Sequence, residues 1–386
     1  MICLRMNKYL GLNILSFFII VTLCASCGSR KTAGGEQGDT LLMRHAQLLQ
    51  MVDFGSYTEV SVQNPWHKGQ LLHRYFLVKK GAEPDESSLR QRGTVVRVPL
   101  THTVAFTTVH ASLLQQLHAE SALAGMADVE YVHSPSLKQL CKSGKIVNVG
   151  SSLSPDVERI IALQPDAMFL SPFDNSGGYG KVGELGVPVI ECADYMESTA
   201  LGRAEWIRFY GLLTGREHLA DSIFRQVETN YQELCRKASQ TKTRPTLLMD
   251  KLTGSVWYVP GGKSTLGSML RDAAVSYVFA DDTHAGSVAL PFEKVLEQGS
   301  TATLWLLRYE SPLRDTYTVQ TLLSEYHGYA RMKAFQHGQC YGCDTRSSLF
   351  YEEVPFRPDL LLSDFITLAH PELQLGSSRY FIRLPQ

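Results

Sequence analysis

The residues best suited to bind a small ligand are aromatic, cationic and hydroxyl-bearing side chains in segments that follow predicted strands. Aromatic faces stack on planar rings, and arginine or lysine pairs with carboxylates and other anions. Because the carboxyl ends of parallel strands meet at one edge of a sheet, such segments can form a common binding surface. The candidates are Thr108, His110, Phe173, Tyr179, Trp257, Tyr258, Lys263, Arg308, Tyr351 and Arg357.

Trp257 and Tyr258 form the leading aromatic pair among these candidates. They precede Gly261 and Gly262, and glycine permits a ligand to approach the backbone closely. The alternative for every candidate, taken singly, is an ordinary structural role.

Motifs for catalysis or for a bare metal ion are not recognisable in the sequence. The histidines are scattered without HxH or HExxH spacing, and no GxSxG nucleophile elbow occurs. The run Gly261 to Ser264 resembles the end of a phosphate loop, but Trp257 stands where that loop requires its first glycine. The sequence therefore predicts a binding protein with no catalytic residue, no metal ligand and no resident cofactor.

Cys340 and Cys343 form a Cys-x-x-Cys pair. A structural zinc site needs a second pair, which the sequence does not supply. Outside the cytosol, the two residues are expected to form a local disulfide or to stay as free thiols.

Composition sets the class of the chain. Its 386 residues include 44% hydrophobic ones and carry a formal net charge of −1, which is typical of a globular protein of about two domains. Nothing in this charge favours a nucleic-acid partner.

The first 27 residues resemble a bacterial lipoprotein signal peptide. Arg5 and Lys8 precede an apolar run, and Ala25 and Ser26 stand before Cys27, the expected lipidation site. Residues 28–40 then form a polar, flexible tether. We expect a mature protein that is anchored to a membrane by lipid.

Hydrophobic periodicity divides the remaining chain into four parts. Residues 41–94 form an N-terminal extension with a β-hairpin at 57–78, and 95–203 form an α/β lobe. A long helical pattern at 204–239 connects it to a second α/β lobe at 240–386. Glu158 to Ile161 and Glu293 to Leu296 each begin a short helix that leads to an apolar strand, a weak repeat that favours two similar lobes.

Several segments in combination resemble the periplasmic substrate-binding proteins of ABC importers for iron complexes and vitamin B12. This resemblance implies two similar lobes, each a mostly parallel sheet flanked by helices, bridged by a long α-helix. It covers roughly residues 95–373. The segments are SPDVERIIALQPDAMFL, GVPVI, GLLTGREHLA, LPFEKVLEQG, MKAFQHGQ and RPDLLLSDFITLAHPEL.

The resemblance also implies partners and a location. One glutamate on each lobe of such proteins docks onto the membrane permease, and the motif assigns this role to Glu158 and Glu293. The expected partners are an ABC permease, its ATPase subunit and a small-molecule ligand. The expected location is the periplasmic face of a bacterial membrane, with the protein as a monomer. The alternative for the two glutamates is a favourable charge at a helix N-terminus.

A ferric siderophore is the expected ligand, with cobalamin or another corrinoid and heme as alternatives. Heme is less favoured, because heme-binding relatives tend to carry a tyrosine just before the first glutamate helix, where this chain reads Gly150 to Leu153. Two other classes stay open. One is a lipoprotein chelatase or hydrolase that uses His110 or another loop histidine with Asp174, and the other is a surface lipoprotein that binds a partner through the 57–78 hairpin.

Overall fold

An N-terminal five-stranded sheet precedes the first lobe in the computed structural model, which describes residues 38–174, 178–311 and 316–386. The signal peptide and Cys27 lie outside these residues. The sheet has the spatial order β1 to β5, with antiparallel pairing from β2 to β4 and parallel pairing of β4 with β5. Its elements are β1 (Asp39–Leu41), β2 (Leu49–Asp53), β3 (Tyr57–Gln63), β4 (Leu71–Lys79), α1 (Glu86–Arg92) and β5 (Thr94–Val98).

Both faces of this sheet are covered. Alternate residues such as Tyr75 and Leu77 join the main core, while Phe76 and Val78 pack with Leu89 of α1 on the other side. The predicted hairpin is confirmed, but β5 belongs to this sheet and not to the first lobe. The boundary predicted at residue 95 therefore falls inside the extension's sheet.

The first lobe is a five-stranded parallel sheet with helices between its strands. The sheet order is β12-β11-β6-β7-β8, and β9 pairs with β10 as a separate ribbon. Its elements are β6 (Thr103–Ala105), α2 (Thr108–Gln116), β7 (Leu123–Met126), α3 (Pro135–Lys142), β8 (Val147–Asn148), β9 (Gly150–Ser151), β10 (Ser154–Pro155), α4 (Val157–Leu163), β11 (Ala167–Leu170), α5 (Gly180–Gly183) and β12 (Val189–Glu191).

Helix α4 shows how local chemistry fixes the boundaries in this lobe. The Asp156 side chain accepts a hydrogen bond from the Arg159 N–H and caps the helix. Gln164 adopts a left-handed φ of 48° and ends the helix one residue before Pro165. All four residues of β11 are buried, as expected for a parallel strand covered on both faces.

Three helices connect the lobes: α6 (Ala200–Glu205), α7 (Ile207–Thr214) and α8 (Glu217–Ser239). The helical pattern at 204–239 is therefore interrupted at Gly215, whose φ is 66°, and Gly211 stays inside α7. A Cβ on Gly211 would lie 2.6 Å from the Cβ of Ala220, so glycine permits α7 to approach α8. Helix α8 has 23 residues and is about 35 Å long at 1.5 Å per residue.

The second lobe repeats the architecture of the first. Its main sheet has the order β16-β13-β18-β19-β20, parallel except for β20, and β14-β15-β17 form an antiparallel sheet. Its elements are β13 (Thr246–Met249), β14 (Leu252–Thr253), β15 (Val256–Pro260), α9 (Thr265–Asp272), β16 (Ser276–Tyr277), β17 (Ser287–Leu290), α10 (Phe292–Gly299), β18 (Leu304–Tyr309), α11 (Val319–Glu325), α12 (Lys333–Gln336), β19 (Cys340–Asp344), α13 (Phe350–Glu353), α14 (Pro358–Ala369) and β20 (Ile382–Arg383). The predicted fold class is confirmed.

Two local features of this lobe bear on the sequence predictions. Trp257 and Tyr258 were expected in a segment that follows a strand, whereas Val256–Pro260 is itself a strand. Cys340 and Cys343 lie three positions apart on β19, which separates them by about 10 Å and directs them to opposite faces. A disulfide needs Cα atoms within about 7 Å, so the local disulfide is excluded and both residues are free thiols.

Within the described part of the chain, no helix combines the length and the apolar character needed to cross a bilayer.

Candidate functional site

A cavity of about 160 Å³ lies where the connector meets the second lobe. Its wall is mostly apolar, and two arginines are the only charged side chains in it. One comes from α6 and the other from the carboxyl end of β18. The lining residues are Ala200, Arg203, Thr265, Leu266, Met269, Arg308, Phe350, Tyr351, Val354, Pro355 and Pro358.

Arg308 is held in the cavity by a buried carboxylate. Its Nε and Nη2 atoms donate to the two oxygens of Asp250 at 2.8 and 2.6 Å, the bidentate geometry that matches a guanidinium to a carboxylate. Burial lowers the pKa of Arg308, but the charge of Asp250 more than compensates and raises it. Asp250 directly follows β13, so the carboxyl ends of two adjacent strands fix this cation.

Arg203 is held by a second buried carboxylate, on the side of the first lobe. Its Nε donates to Asp194 at 3.0 Å. Asp194 also lies 3.2 Å from His110 Nε2 and accepts from the Tyr210 hydroxyl at 3.1 Å. Burial raises the pKa of Asp194, but its contacts with His110 and Arg203 outweigh this effect and hold the pKa below the ordinary value. The carboxylate is therefore ionised and can position Arg203.

The lobes meet beside this cavity through α13. This helix packs on α2 of the first lobe, and its buried Glu352 accepts hydrogen bonds from two backbone N–H groups of that lobe. The donors are His133, at 2.6 Å, and Ser134, at 3.0 Å. The two hydrogen bonds lower the pKa of Glu352, but burial has the larger effect and raises it. The structure therefore describes lobes in contact on this side.

The structure brings two of the ten predicted ligand-binding residues into the cavity, Arg308 and Tyr351. Arg203, Leu266 and Met269 also line it and were not predicted. Arg203 follows the carboxyl end of β12 by twelve residues, too far for the strand-end argument to include it.

His110 and Trp257 are corrected as ligand contacts. Trp257 is fully buried in the second lobe, where its Nε1 donates to the Met249 carbonyl at 2.9 Å and its ring stacks on Trp305. His110 is buried beneath Arg203, with its Nδ1 atom 2.6 Å from the Thr107 hydroxyl. Neither side chain lines the cavity.

The other predicted residues are distributed over the surface and over a second cavity. Thr108 begins α2, Phe173, Tyr258 and Lys263 are exposed, and Tyr179 lines the second cavity. Arg357 caps α14 and donates twice to Asp359, each time at 2.9 Å. None of these side chains lines the cavity that contains Arg308.

The structure does not bring His110 and Asp174 of the chelatase alternative together. His110 contacts Asp194, whereas the exposed Asp174 lies 3.9 Å from another loop histidine, His67 of the extension. In the described part of the chain, no group of three or more His, Cys, Asp or Glu side chains is arranged to hold a metal ion.

Glu158 and Glu293 occupy equivalent positions in the two lobes. Each lies in the first turn of a short helix, α4 or α10, and each is exposed. Neither carboxylate forms a side-chain hydrogen bond or an ion pair with any described residue.

Residues 104–346 match the family model described as periplasmic binding protein. This match covers more than half of the chain. The chain belongs to the periplasmic binding protein family. The extension precedes the matched segment and is an addition to the family fold.

Comparison with individual proteins agrees with this assignment. The chain is 23% identical over 411 residues to an uncharacterized lipoprotein of Methanocaldococcus jannaschii, covering 97% of this chain and 96% of that protein. A periplasmic heme binding protein from Pseudomonas aeruginosa has a TM-score of 0.58 at 17% identity, covering 74% of this chain and 98% of that one. The molybdate periplasmic binding protein of Haemophilus influenzae has a TM-score of 0.56 at 16% identity, covering 71% and 87%. These likenesses confirm the two-lobed class III fold.

Proposed function

We propose that this chain captures an anionic metal complex, with a ferric siderophore as the first candidate, and delivers it to an ABC permease. The observation that supports this proposal is the cavity beside the lobe contact, where Arg203 and Arg308 supply the charge. Both cations are oriented by buried carboxylates, and the remaining wall is mostly apolar. Such a wall with a few placed charges is typical of small-molecule sites.

The volume of the cavity sets a condition on this ligand. A cavity of about 160 Å³ is smaller than the roughly 300–1,000 Å³ of pockets that enclose drug-sized molecules. A siderophore, corrinoid or heme therefore requires the lobes to separate at the contact of α13 with α2.

A small oxyanion is the second candidate ligand, and the cavity volume favours it. A tetrahedral oxyanion needs little more space than a few water molecules and pairs well with two arginines. The similar protein from Haemophilus influenzae is described as molybdate-bound. Cobalamin and heme stay as alternatives of the same class.

Delivery requires a membrane location and a docking surface. In this proposal, Cys27 carries the lipid, the folded part faces the periplasm as a monomer, and Glu158 and Glu293 contact the permease. The ATPase subunit then supplies the energy, so the chain itself is a receptor and not an enzyme. The archaeal relative described as a lipoprotein supports the anchor.

Isothermal titration calorimetry tests the ligand assignment. The panel contains a ferric hydroxamate, a ferric catecholate, cobalamin, heme and molybdate, titrated into the protein and into Arg203→Gln. Since a hydrogen bond to a charged group contributes about 1.5–3 kcal/mol, we expect Arg203→Gln to weaken binding of the true ligand roughly 10- to 100-fold. Arg331→Gln, at an exposed arginine outside the cavity, is the matched control.

Two results contradict the proposal. Binding of no panel member with a dissociation constant below about 10 μM, equivalent to about −7 kcal/mol, contradicts the receptor function and favours partner binding. Saturable binding that is equal in the protein and in Arg203→Gln contradicts the location of the site.

A further inference from the structure

A second cavity, of about 680 Å³, lies between the N-terminal sheet and the edge of the first lobe. One wall comes from β4, α1 and β5, and the other from α5, β12 and the residues between them. It shares no lining residue with the cavity that contains Arg308. The wall from the extension precedes the segment that matches the family, so this cavity is not part of the common family fold.

Four side chains with metal-binding chemistry line this second cavity, His73, Tyr179, Glu184 and Glu191, and three of them carry the argument that follows. His73 is on β4, Glu191 ends β12, and Tyr179 precedes α5. The His73 Nδ1 atom lies 3.5 Å from the Glu191 Oε1 atom. The Tyr179 hydroxyl is buried and has no hydrogen-bond partner among the described residues. Burial, and then the negative charge of Glu191, raise the pKa of this hydroxyl.

The surrounding residues orient His73 as they do in metal sites. The His73 Nε2 atom lies 2.8 Å from the Thr94 hydroxyl. A proton on Nε2, donated to Thr94, leaves the Nδ1 lone pair directed at Glu191. Metal-binding histidines commonly donate their second ring N–H to an oxygen in this way. A cation between Nδ1 and the carboxylate stabilises this tautomer.

Tyr75 holds both His73 and Glu191 in place. Its ring stacks on the His73 ring with centroids 4.3 Å apart. Its hydroxyl donates to the Val189 carbonyl at 2.9 Å and accepts from the Glu191 N–H at 2.8 Å. One buried side chain therefore couples a ligand from the extension to a ligand from the lobe.

We propose that His73, Tyr179 and Glu191 bind one transition-metal cation, with its remaining coordination positions open to the cavity. One imidazole nitrogen and two oxygens, without sulfur, suit iron or zinc better than copper(I). Because the ligands come from both walls, the bound cation fastens the extension to the first lobe. This site is independent of the ligand that binds near Arg308.

Calorimetry with Zn²⁺ and visible spectroscopy with Fe³⁺ test this proposal on chelator-treated protein that carries no histidine tag. We expect one equivalent of Zn²⁺ in the protein and none in His73→Ala or Glu191→Gln. The control is His67→Ala, at an exposed histidine in the turn between β3 and β4, which should keep the full equivalent. Addition of Fe³⁺ should produce a phenolate-to-iron charge-transfer band.

Tyr179→Phe removes one oxygen atom and separates a metal site from a folding defect. It should abolish the iron band and weaken Zn²⁺ binding at least about tenfold, as loss of a metal ligand or its support does. Zn²⁺ binding without an iron band supports the site as one for zinc, and the band supports it as one for iron. Unchanged binding in His73→Ala and Tyr179→Phe overturns the proposal, as does the absence of binding of either cation to folded protein. These experiments add no ligand of the cavity that contains Arg308. Failure of the metal-site proposal can therefore be distinguished from failure of the proposed function.

Discussion

Asp194 is the residue on which the geometry of Arg203 depends. It is 1% exposed and takes contacts from the side chains of Arg203, His110 and Tyr210. An ionised carboxylate in such a position is stable only while these partners compensate its desolvation. The single carboxylate therefore joins α2, the connector and the cavity.

The pH dependence of unfolding should show this role. The folded pKa of Asp194 lies below its ordinary value, so its stabilisation is present above about pH 4 and is lost as the pH falls through the lowered folded value. We expect Asp194→Asn to cost about 3 kcal/mol near neutral pH, and this difference to shrink on acidification. Urea unfolding at a series of pH values measures both effects.

Asp281→Asn is the matched control for this series, because Asp281 is exposed. It should unfold like the parent protein at every pH. A difference between Asp194→Asn and the parent that stays constant down to pH 3 contradicts an ionised, compensated carboxylate.

Single residues also show where sequence reasoning reaches its limit. Arg308 and Tyr351, two of the predicted ligand-binding residues, line the cavity, and their contact with a ligand stays a prediction. Trp257 was predicted as a ligand contact, yet the alternation of buried Trp257 and Val259 with exposed Tyr258 is typical of a strand. Arg203 was missed, since only the three-dimensional fold brings α6 to β18.

At the scale of elements, α13 forms the contact between the lobes. Its Glu352 accepts the N–H groups of His133 and Ser134, and its Phe350 and Tyr351 line the cavity. The same short helix therefore contacts the ligand site and the opposite lobe. Ligand entry that needs lobe separation must break these two hydrogen bonds.

Substitution of Glu352 should weaken the contact between the lobes, more in Glu352→Ala than in Glu352→Gln. Glu352→Ala leaves two N–H groups without acceptors, at about 1–3 kcal/mol each, while Glu352→Gln keeps one acceptor oxygen. We expect amide hydrogen exchange at His133 and Ser134 to be fastest in the alanine variant and intermediate in the glutamine variant. Each 1.4 kcal/mol corresponds to about a tenfold change in the exchange rate.

Glu83→Ala, at an exposed glutamate of the extension, should leave exchange at both amides unchanged. Equal exchange rates in the parent protein and in Glu352→Ala would mean that other contacts hold the lobes together.

Elements with strong periodicity were predicted well, and short ones were not. The short helices predicted at Glu158 to Ile161 and Glu293 to Leu296 are present as α4 and α10, and the apolar strands that follow them are β11 and β18. Helix α13 has four residues, too few for a helical period to show. Its position depends on packing against α2, which lies far away in the sequence.

At the scale of the whole molecule, the extension is integrated with the family fold. Its sheet packs into the main core, and the segment between β1 and β2 is bound by buried glutamates of the connector. Glu205 accepts the N–H groups of Arg44, His45 and Ala46, at 2.7 to 2.9 Å. The 57–78 hairpin therefore packs against the rest of the molecule and does not stand apart from the lobes.

The two lobes present Glu158 and Glu293 as exposed carboxylates on equivalent helices, with no side-chain partner among the described residues. If these residues dock onto cations of the permease, substitution should affect transport and leave ligand binding unchanged. We expect Glu158→Ala and Glu293→Ala each to reduce ligand-stimulated ATP hydrolysis by the reconstituted transporter, and the double variant to abolish most of it. Calorimetry on the isolated double variant should give the parent affinity.

Salt dependence distinguishes docking by charge from a structural effect of these helices. Exposed charges are screened over about 8 Å at an ionic strength of 0.15 M, so stimulation by the parent protein should fall as salt is added. The double variant should have lost this salt dependence together with its stimulation, and Glu83→Ala should keep both. Parent-like stimulation by the double variant contradicts docking through these residues, because a contact made by one charge from each lobe cannot survive the loss of both.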